Sequence, residues 1–98
     1  MRPLQPHTPY RRHALIMKQV IAIIERGSDG SYGIYTPTLH NVIIGVGDTL
    51  AKAKEDFMIG YKDMIETYQA DKEPIPAELE DVEFVYQYAH SSETKTTL

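Results

Sequence analysis

Three short apolar runs, one long stripe at helical spacing and a closing alternating run divide the middle of the chain into five elements. Val20-Ile-Ala-Ile-Ile24 is apolar at successive positions, so both faces of the strand it predicts are apolar. Such a strand is central, covered on both sides or on one side plus a dimer contact. Gly27-Ser-Asp-Gly30 supplies hairpin chemistry between it and a second strand, Tyr32–Tyr35. Pro37 ends that strand, because proline has no N–H for a ladder. Val42–Val46 is the third strand, with Val42, Ile44 and Val46 on one face and Ile43 on the other.

A long helix follows. Asp48 or Thr49 caps it, since either side-chain oxygen can accept from the free N–H groups of the first turn. Leu50, Ala53, Phe57, Tyr61, Met64, Ile65 and Tyr68 recur at spacings of three and four and form one apolar stripe. Lys52, Glu55, Asp56, Lys62, Asp63 and Glu66 occupy the rest of the surface. Gly60 costs about 1 kcal/mol relative to alanine inside a helix, which suggests a close approach to the sheet. The pattern fades near Ala70, and Pro74 and Pro76 forbid continuation. Val82–Tyr88 is the last strand, with Phe84, Tyr86 and Tyr88 on one face. The order β-β-β-α-β predicts an α+β domain: a mainly antiparallel sheet of three to four strands with one long helix on one face.

Composition narrows this picture. Ninety-eight residues support one domain with a small core, for which oligomerisation is a natural supplement. A dimer is expected, with Ile21 and Ile23 on the second face of the first strand, and Met58 and Ile59 off the helical stripe, as contact candidates. The 42% hydrophobic and 24% charged content is that of an ordinary soluble chain. Cysteine is absent, which excludes disulfides and Cys-based zinc sites and fits a reducing, cytoplasmic setting. No apolar run approaches the roughly 20 residues of a membrane span. Arg11-Arg12 is not followed by the apolar region and cleavage site of an export signal.

Residues 1–16 hold three prolines and three arginines with no periodicity, and read as a disordered arm. Met17 stands where the domain begins, so the arm is either native or an upstream addition. The domain is expected over residues 17–88, and 89–98 as a short polar tail. The net charge of −4 is unevenly spread. From Met17 to Tyr88 six Lys/Arg face thirteen Asp/Glu, a balance of −7, while the arm carries +3 from Arg2, Arg11 and Arg12. An acidic domain repels nucleic acid and favours a basic partner.

Candidate chemistry is sparse. Gly45-Val-Gly47 before a helix invites a phosphate-loop reading, but the third glycine of a dinucleotide fingerprint and the Gly-Lys-Ser/Thr of a P-loop are missing. Asp48 would also place negative charge where phosphate must sit. A structural turn is the better reading. His7, His13, His40 and His90 are scattered without ligand spacing, so no metal site is assigned. Ser28 and Ser31 have no evident base. The seven tyrosines suit half-buried strands and interfaces, and lack the basic neighbours of an RNA-binding sheet. No catalytic residue or cofactor is assigned. The acidic run Asp71, Glu73, Glu78, Glu80, Asp81 and Glu83 is either a solvated linker or a surface facing a basic protein.

Tyr32-Gly33-Ile34-Tyr35, Pro37, Gly47-Asp48-Thr49, and Leu50 with Ala53, preceded by an apolar strand, resemble the N-terminal domain of HicB-type antitoxins. The resemblance runs from about Met17 to Tyr88. Two positions depart from it: Lys52 stands where that family often has glutamate, and Asn41 where its turn usually has glycine. The resemblance implies a partial RNase H-like fold and a non-catalytic role, blocking a small basic mRNA-cleaving toxin of the HicA type. A metal-dependent nuclease needs carboxylates inside adjoining strands, and neither Val20–Ile24 nor Val42–Val46 contains one. Partner-contact candidates are Glu73, Glu78, Glu80, Asp81, Glu83, Tyr35 and His40. The alternative is a transcriptional regulator gripping nucleic acid with its arginine arm. Three arginines on an acidic domain give only weak, salt-sensitive binding, so specific DNA binding by this chain is not expected.

Overall fold

The computed structural model describes residues 17–89. The expected arm (1–16) and all but the first residue of the expected tail lie outside the described residues.

Strand β1 (Lys18–Arg26) leads through the Gly27–Ser31 turn to β2 (Tyr32–Tyr35). The turn closes with the Gly27 N–H on Ser31 O at 2.8 Å, while Asp29 Oδ1 accepts from the Ser31 N–H and hydroxyl. Gly30 takes φ +90° there, a conformation that favours glycine. A loop closed by Thr36 then leads to β3 (Ile44–Gly47). Helix α1 (Leu50–Ala70), a 3-10 turn (Ala77–Leu79) and β4 (Val82–Tyr88) complete the chain.

The sheet order is β3-β2-β1-β4. Its pairings are antiparallel between β1 and β2 and between β2 and β3, and parallel between β1 and β4. The domain is therefore α+β with a mixed four-stranded sheet and one long helix. Parallel pairing follows from the connection: the chain crosses back through α1 and must re-enter the sheet in the direction of β1.

Alternation places Val20, Ala22 and Ile24 of β1 and Ile34 of β2 toward the helix, where all four are buried. Phe57 is fully buried and packs edge-on against Phe84 at 4.9 Å and Tyr86 at 5.9 Å between ring centroids. The predicted helical stripe is the face that meets this core, joined by Ala53 and Phe57 at its centre. Thr49, rather than Asp48, caps the helix: its side chain accepts from the Lys52 N–H at 3.1 Å. The C-terminal end is a Schellman turn, with Lys72 N–H on Gln69 O and Glu73 N–H on Tyr68 O. Lys72 sits at φ 56° in the left-handed position that glycine usually fills.

Three expectations are corrected. The third strand begins at Ile44, not Val42, because the Ile43 N–H goes to the buried Thr36 hydroxyl at 3.0 Å instead of a ladder partner. Gly45 and Gly47 form no turn and no anion loop. They lie in β3 pressed against α1, where a Cβ on Gly45 would stand 2.4 Å from Phe57 N and one on Gly47 2.5 Å from Ala53 N. Gly60 is not the point of closest approach, since a Cβ there would make an ordinary 3.5 Å contact with Ile44 O. The helix also guards the sheet edge at β3, where the Val46 N–H donates to Asp56 Oδ2 at 2.9 Å.

Candidate functional site

The segment between α1 and β4 is folded back on the helix by apolar anchors and polar ties. Leu79 is fully buried, and its carbonyl accepts from Tyr61 Oη at 2.7 Å. Burial, and secondarily the nearby Asp81 charge, raises the Tyr61 pKa above its ordinary value. Glu78, on the 3-10 turn, reaches across to the β2–β3 loop. It accepts from His40 N at 3.0 Å and from both Asn41 N and Asn41 Nδ2 at 2.8 Å. The backbone N–H groups of His40 and Asn41, then the Asn41 amide, hold its carboxyl below the usual carboxylate range. Asn41 also accepts from Tyr68 Oη at 3.3 Å, so the asparagine at the unusual turn position ties loop, helix and 3-10 turn together.

A groove of about 470 Å³ remains between α1 and this segment. Tyr61, Ile65, Ile75 and Leu79 give it an apolar floor, and Glu66, Gln69, Glu80, Asp81 and Lys62 border it. Three carboxylates against one ammonium leave the border acidic. An apolar floor with an acidic border accommodates an arginine or lysine side chain, whose stem covers aliphatic surface while its head stays with carboxylates and water.

The opposite face of the sheet has no covering layer among the described residues. Ile21, Ile23, Tyr35, Ile44, Val46 and Val85 share it by alternation and register. Ile44 and Val46 are 62% and 61% exposed. Tyr35 Oη donates to Glu25 on this face at 3.3 Å, and desolvation followed by the Glu25 charge raises its pKa.

The residues singled out in the sequence are thus distributed over several places. Glu80 and Asp81 border the groove, and Glu73 stands exposed just past the helix end. Glu78 and the backbone of His40 are engaged with each other. Glu83 and Tyr35 lie on the uncovered face with Ile21 and Ile23. Met58 packs beside the core on the helix and Ile59 is exposed there, on the other side of the sheet from Ile21 and Ile23. The four apolar candidates therefore do not form one patch. The sequence reading did not single out the groove residues Ile65, Glu66 and Ile75 as a site. The signal was there only in part: Ile75 sits between Pro74 and Pro76, an apolar residue where a solvated linker needs none.

Among the described residues, no group of three or more His, Asp or Glu is placed to hold a metal ion. None of the described helices is long and apolar enough to cross a membrane. Neither a family profile, nor a curated protein sequence, nor a solved structure matches this chain.

Proposed function

We propose that this chain is a HicB-type antitoxin, or an orphan relative of one, that binds and blocks a small basic RNA-cleaving protein without catalysis. The observation that supports this reading best is the acidic-bordered apolar groove between α1 and the 3-10 turn. Basic side chains of an RNA-binding surface would place their stems over Ile65 and Ile75 and their charges against Glu66, Glu80 and Asp81, and so be withheld from RNA. Opposite charge over the whole domain speeds encounter and discriminates between partners. The reading takes the sheet as a partial RNase H-like sheet without its chemistry. The residues of β1 and β3 that face the helix, Val20, Ala22, Ile24, Gly45 and Gly47, include no carboxylate to hold a metal ion.

The test is a search for a small basic reading frame beside the gene and co-expression of the two; absence of such a frame would count against the reading. The expected results are a complex that survives gel filtration and relief of the growth arrest that the basic protein causes alone. Glu66→Lys with Glu80→Lys, both at exposed positions, is expected to abolish the complex and leave the melting temperature nearly unchanged. A complex indifferent to both reversals would move the partner off the groove. Unrelieved growth arrest would remove the antitoxin reading.

A further inference from the structure

The two edges of the sheet are built differently. At β3, only four residues long, the outward Val46 N–H is taken by Asp56 Oδ2. Nothing comparable guards β4 among the described residues. It runs for seven residues beside β1 without a bulge and contains no proline, lysine or arginine, the usual devices that blunt an open edge. The phase of its ladder follows from its two ends: the Lys18 N–H donates to Asp81 O at 2.8 Å and the Ala89 N–H to Ile24 O at 2.9 Å. In a parallel pair a residue bonds to both neighbours of its opposite number, so alternate residues from Asp81 to Ala89 turn their peptide groups toward β1. The N–H and C=O groups of Val82, Phe84 and Tyr86 therefore point outward, where no described strand lies. No side chain of β4 is buried, although Val20 and Ala22, beside Phe84 and Tyr86 on β1, are.

We propose that the open edge of β4 receives an extended basic segment of the partner as a fifth, antiparallel strand, which delivers a lysine or arginine into the groove. The proposal rests on the reading of the chain as a binder of a basic protein. It adds the docking mode.

Glu80 and Asp81 border the groove and directly precede β4, so edge and groove are continuous. A strand with one residue opposite Val82 has its next residue opposite Asp81, about 3.4 Å further on, at the groove. Antiparallel pairing is the more stable mode. Charge along the edge selects the strand. Glu83 presents a carboxylate on the uncovered side of the sheet, where a basic residue opposite it gains a cross-strand pair. Toward the other end the Lys54 ammonium stands 4.6 Å from the centre of the Tyr86 ring, so the basic residues of the strand belong at the Asp81 end. The balance of −7 over the domain favours a basic strand over a second copy of this chain. On the helix side the half-buried Val82, Phe84 and Tyr86 offer apolar surface to every second residue of the incoming strand. Main-chain bonds then supply affinity and the alternating contacts supply selection. A second copy packed on the uncovered face would cover side chains of β4, not these ladder groups, and would leave the edge open.

The experiment uses the full chain and a synthetic probe, acetyl-Thr-Val-Thr-Val-Arg-Val-Lys-amide. In antiparallel register its valines stand opposite Tyr86, Phe84 and Val82, its arginine opposite Glu83 and its lysine opposite Asp81. Amide hydrogen exchange in the free chain is expected to be fast at Val82, Phe84 and Tyr86 and slow at Glu83, Val85 and Gln87. With the probe at about ten times its dissociation constant, the three fast amides are expected to slow by about tenfold, with resonance shifts at Ile65 and Glu66 in the groove. The same peptide N-methylated at its three valines keeps the side chains, loses the ladder bonds and is expected not to bind. Tyr86→Pro removes one outward N–H, leaves the bonds to β1 in place and is expected to abolish the binding that Tyr86→Ala retains. The N-methylated peptide gives its answer whether or not the Tyr86→Pro chain folds. Slow exchange at the three outward amides in the free chain would overturn the proposal, since the edge would already be taken; a rise of that protection with concentration would assign it to a second copy. Groove shifts without slowing at β4, or equal binding of the N-methylated peptide, would reject strand addition and leave the basic-partner reading standing. A probe that binds neither edge nor groove at millimolar concentration would reject strand addition and count against the groove as a basic seat.

Discussion

Gly45→Ala is expected to be among the most damaging single-methyl additions this chain can receive. The new Cβ would lie 2.4 Å from Phe57 N, 2.5 Å from Phe57 Cα and 2.6 Å from Ala53 O. All three are backbone atoms of α1, so no side-chain rotation relieves the clash. Restoring an ordinary 3.4 Å separation requires the helix to retreat by about 1 Å. That retreat loosens Phe57, the fully buried residue at the centre of the core, from Phe84 and Tyr86. A radial gap of about 1 Å forfeits up to half of each dispersion contact, and overpacking of a core costs typically about 1–3 kcal/mol by itself. Together they amount to about 3–4 kcal/mol, offset by about 0.5 kcal/mol from the stiffer unfolded chain. Such a loss is a large share of the roughly 5–15 kcal/mol that holds a domain folded. Urea unfolding followed by circular dichroism measures it as a drop in the midpoint at constant slope. Gly33→Ala is the control: nothing lies within 4 Å of a Cβ there, and its stability is expected to stay within about 0.5 kcal/mol of wild type. A Gly45→Ala protein losing less than about 1 kcal/mol would refute the claim that β3 and α1 are in backbone contact.

Lys72→Gly removes a Cβ from the left-handed position at the end of α1. A gain of about 0.5–1 kcal/mol is expected, seen as a melting temperature higher by about 2–8 °C; an unchanged or lower value would count against the Schellman geometry. Glu78 titrates below its ordinary 4.5 because the His40 and Asn41 N–H groups and the Asn41 amide stabilise the carboxylate. Its contribution is therefore fully present above 4.5 and lost as pH falls through the lower folded-state value. Wild type should exceed Glu78→Gln in stability at neutral pH, and the gap should close in acid; a gap that persists to about pH 2 would contradict the clamp. The uncovered sheet face predicts self-association, so light scattering of the free chain should report a dimer and Ile44→Glu a monomer. A wild-type monomer at high micromolar concentration would show that this face is not a self-contact.

The elements were legible in the sequence because each is specified by a local pattern. The unbroken apolar run of β1, alternation in β4, the three-four stripe of α1, the Gly27–Gly30 turn and the Pro37 stop all act over a few residues. The apolar second face of the first strand was legible too, since Ile21 and Ile23 alternate with Val20, Ala22 and Ile24. The glycines of β3 were visible but misassigned. A glycine is a turn residue in isolation and a packing residue only when another backbone stands against it, and that backbone belongs to α1. The contribution of Thr36 was hidden for the same reason, since its hydroxyl replaces a ladder partner for Ile43, seven residues on.

The sequence by itself determined which residues prefer burial, the order and kind of the elements, and that the domain is acidic with a basic N-terminal segment. Only the tertiary structure decided which elements meet. It paired β4 parallel to β1, and so brought Lys18 beside Asp81 and the entry of the chain beside the groove. It spent Glu78 on Asn41, 37 residues away, and left Glu66 and Glu80 lining one groove with Ile65 and Ile75. The acidic run is uniform as a string of letters, yet its members have different roles in space. Local patterns arise from the dihedral and solvation preferences of neighbours, whereas a clamp or a groove arises from the closure of long loops. That closure depends on how the whole core packs, which no short window of sequence records.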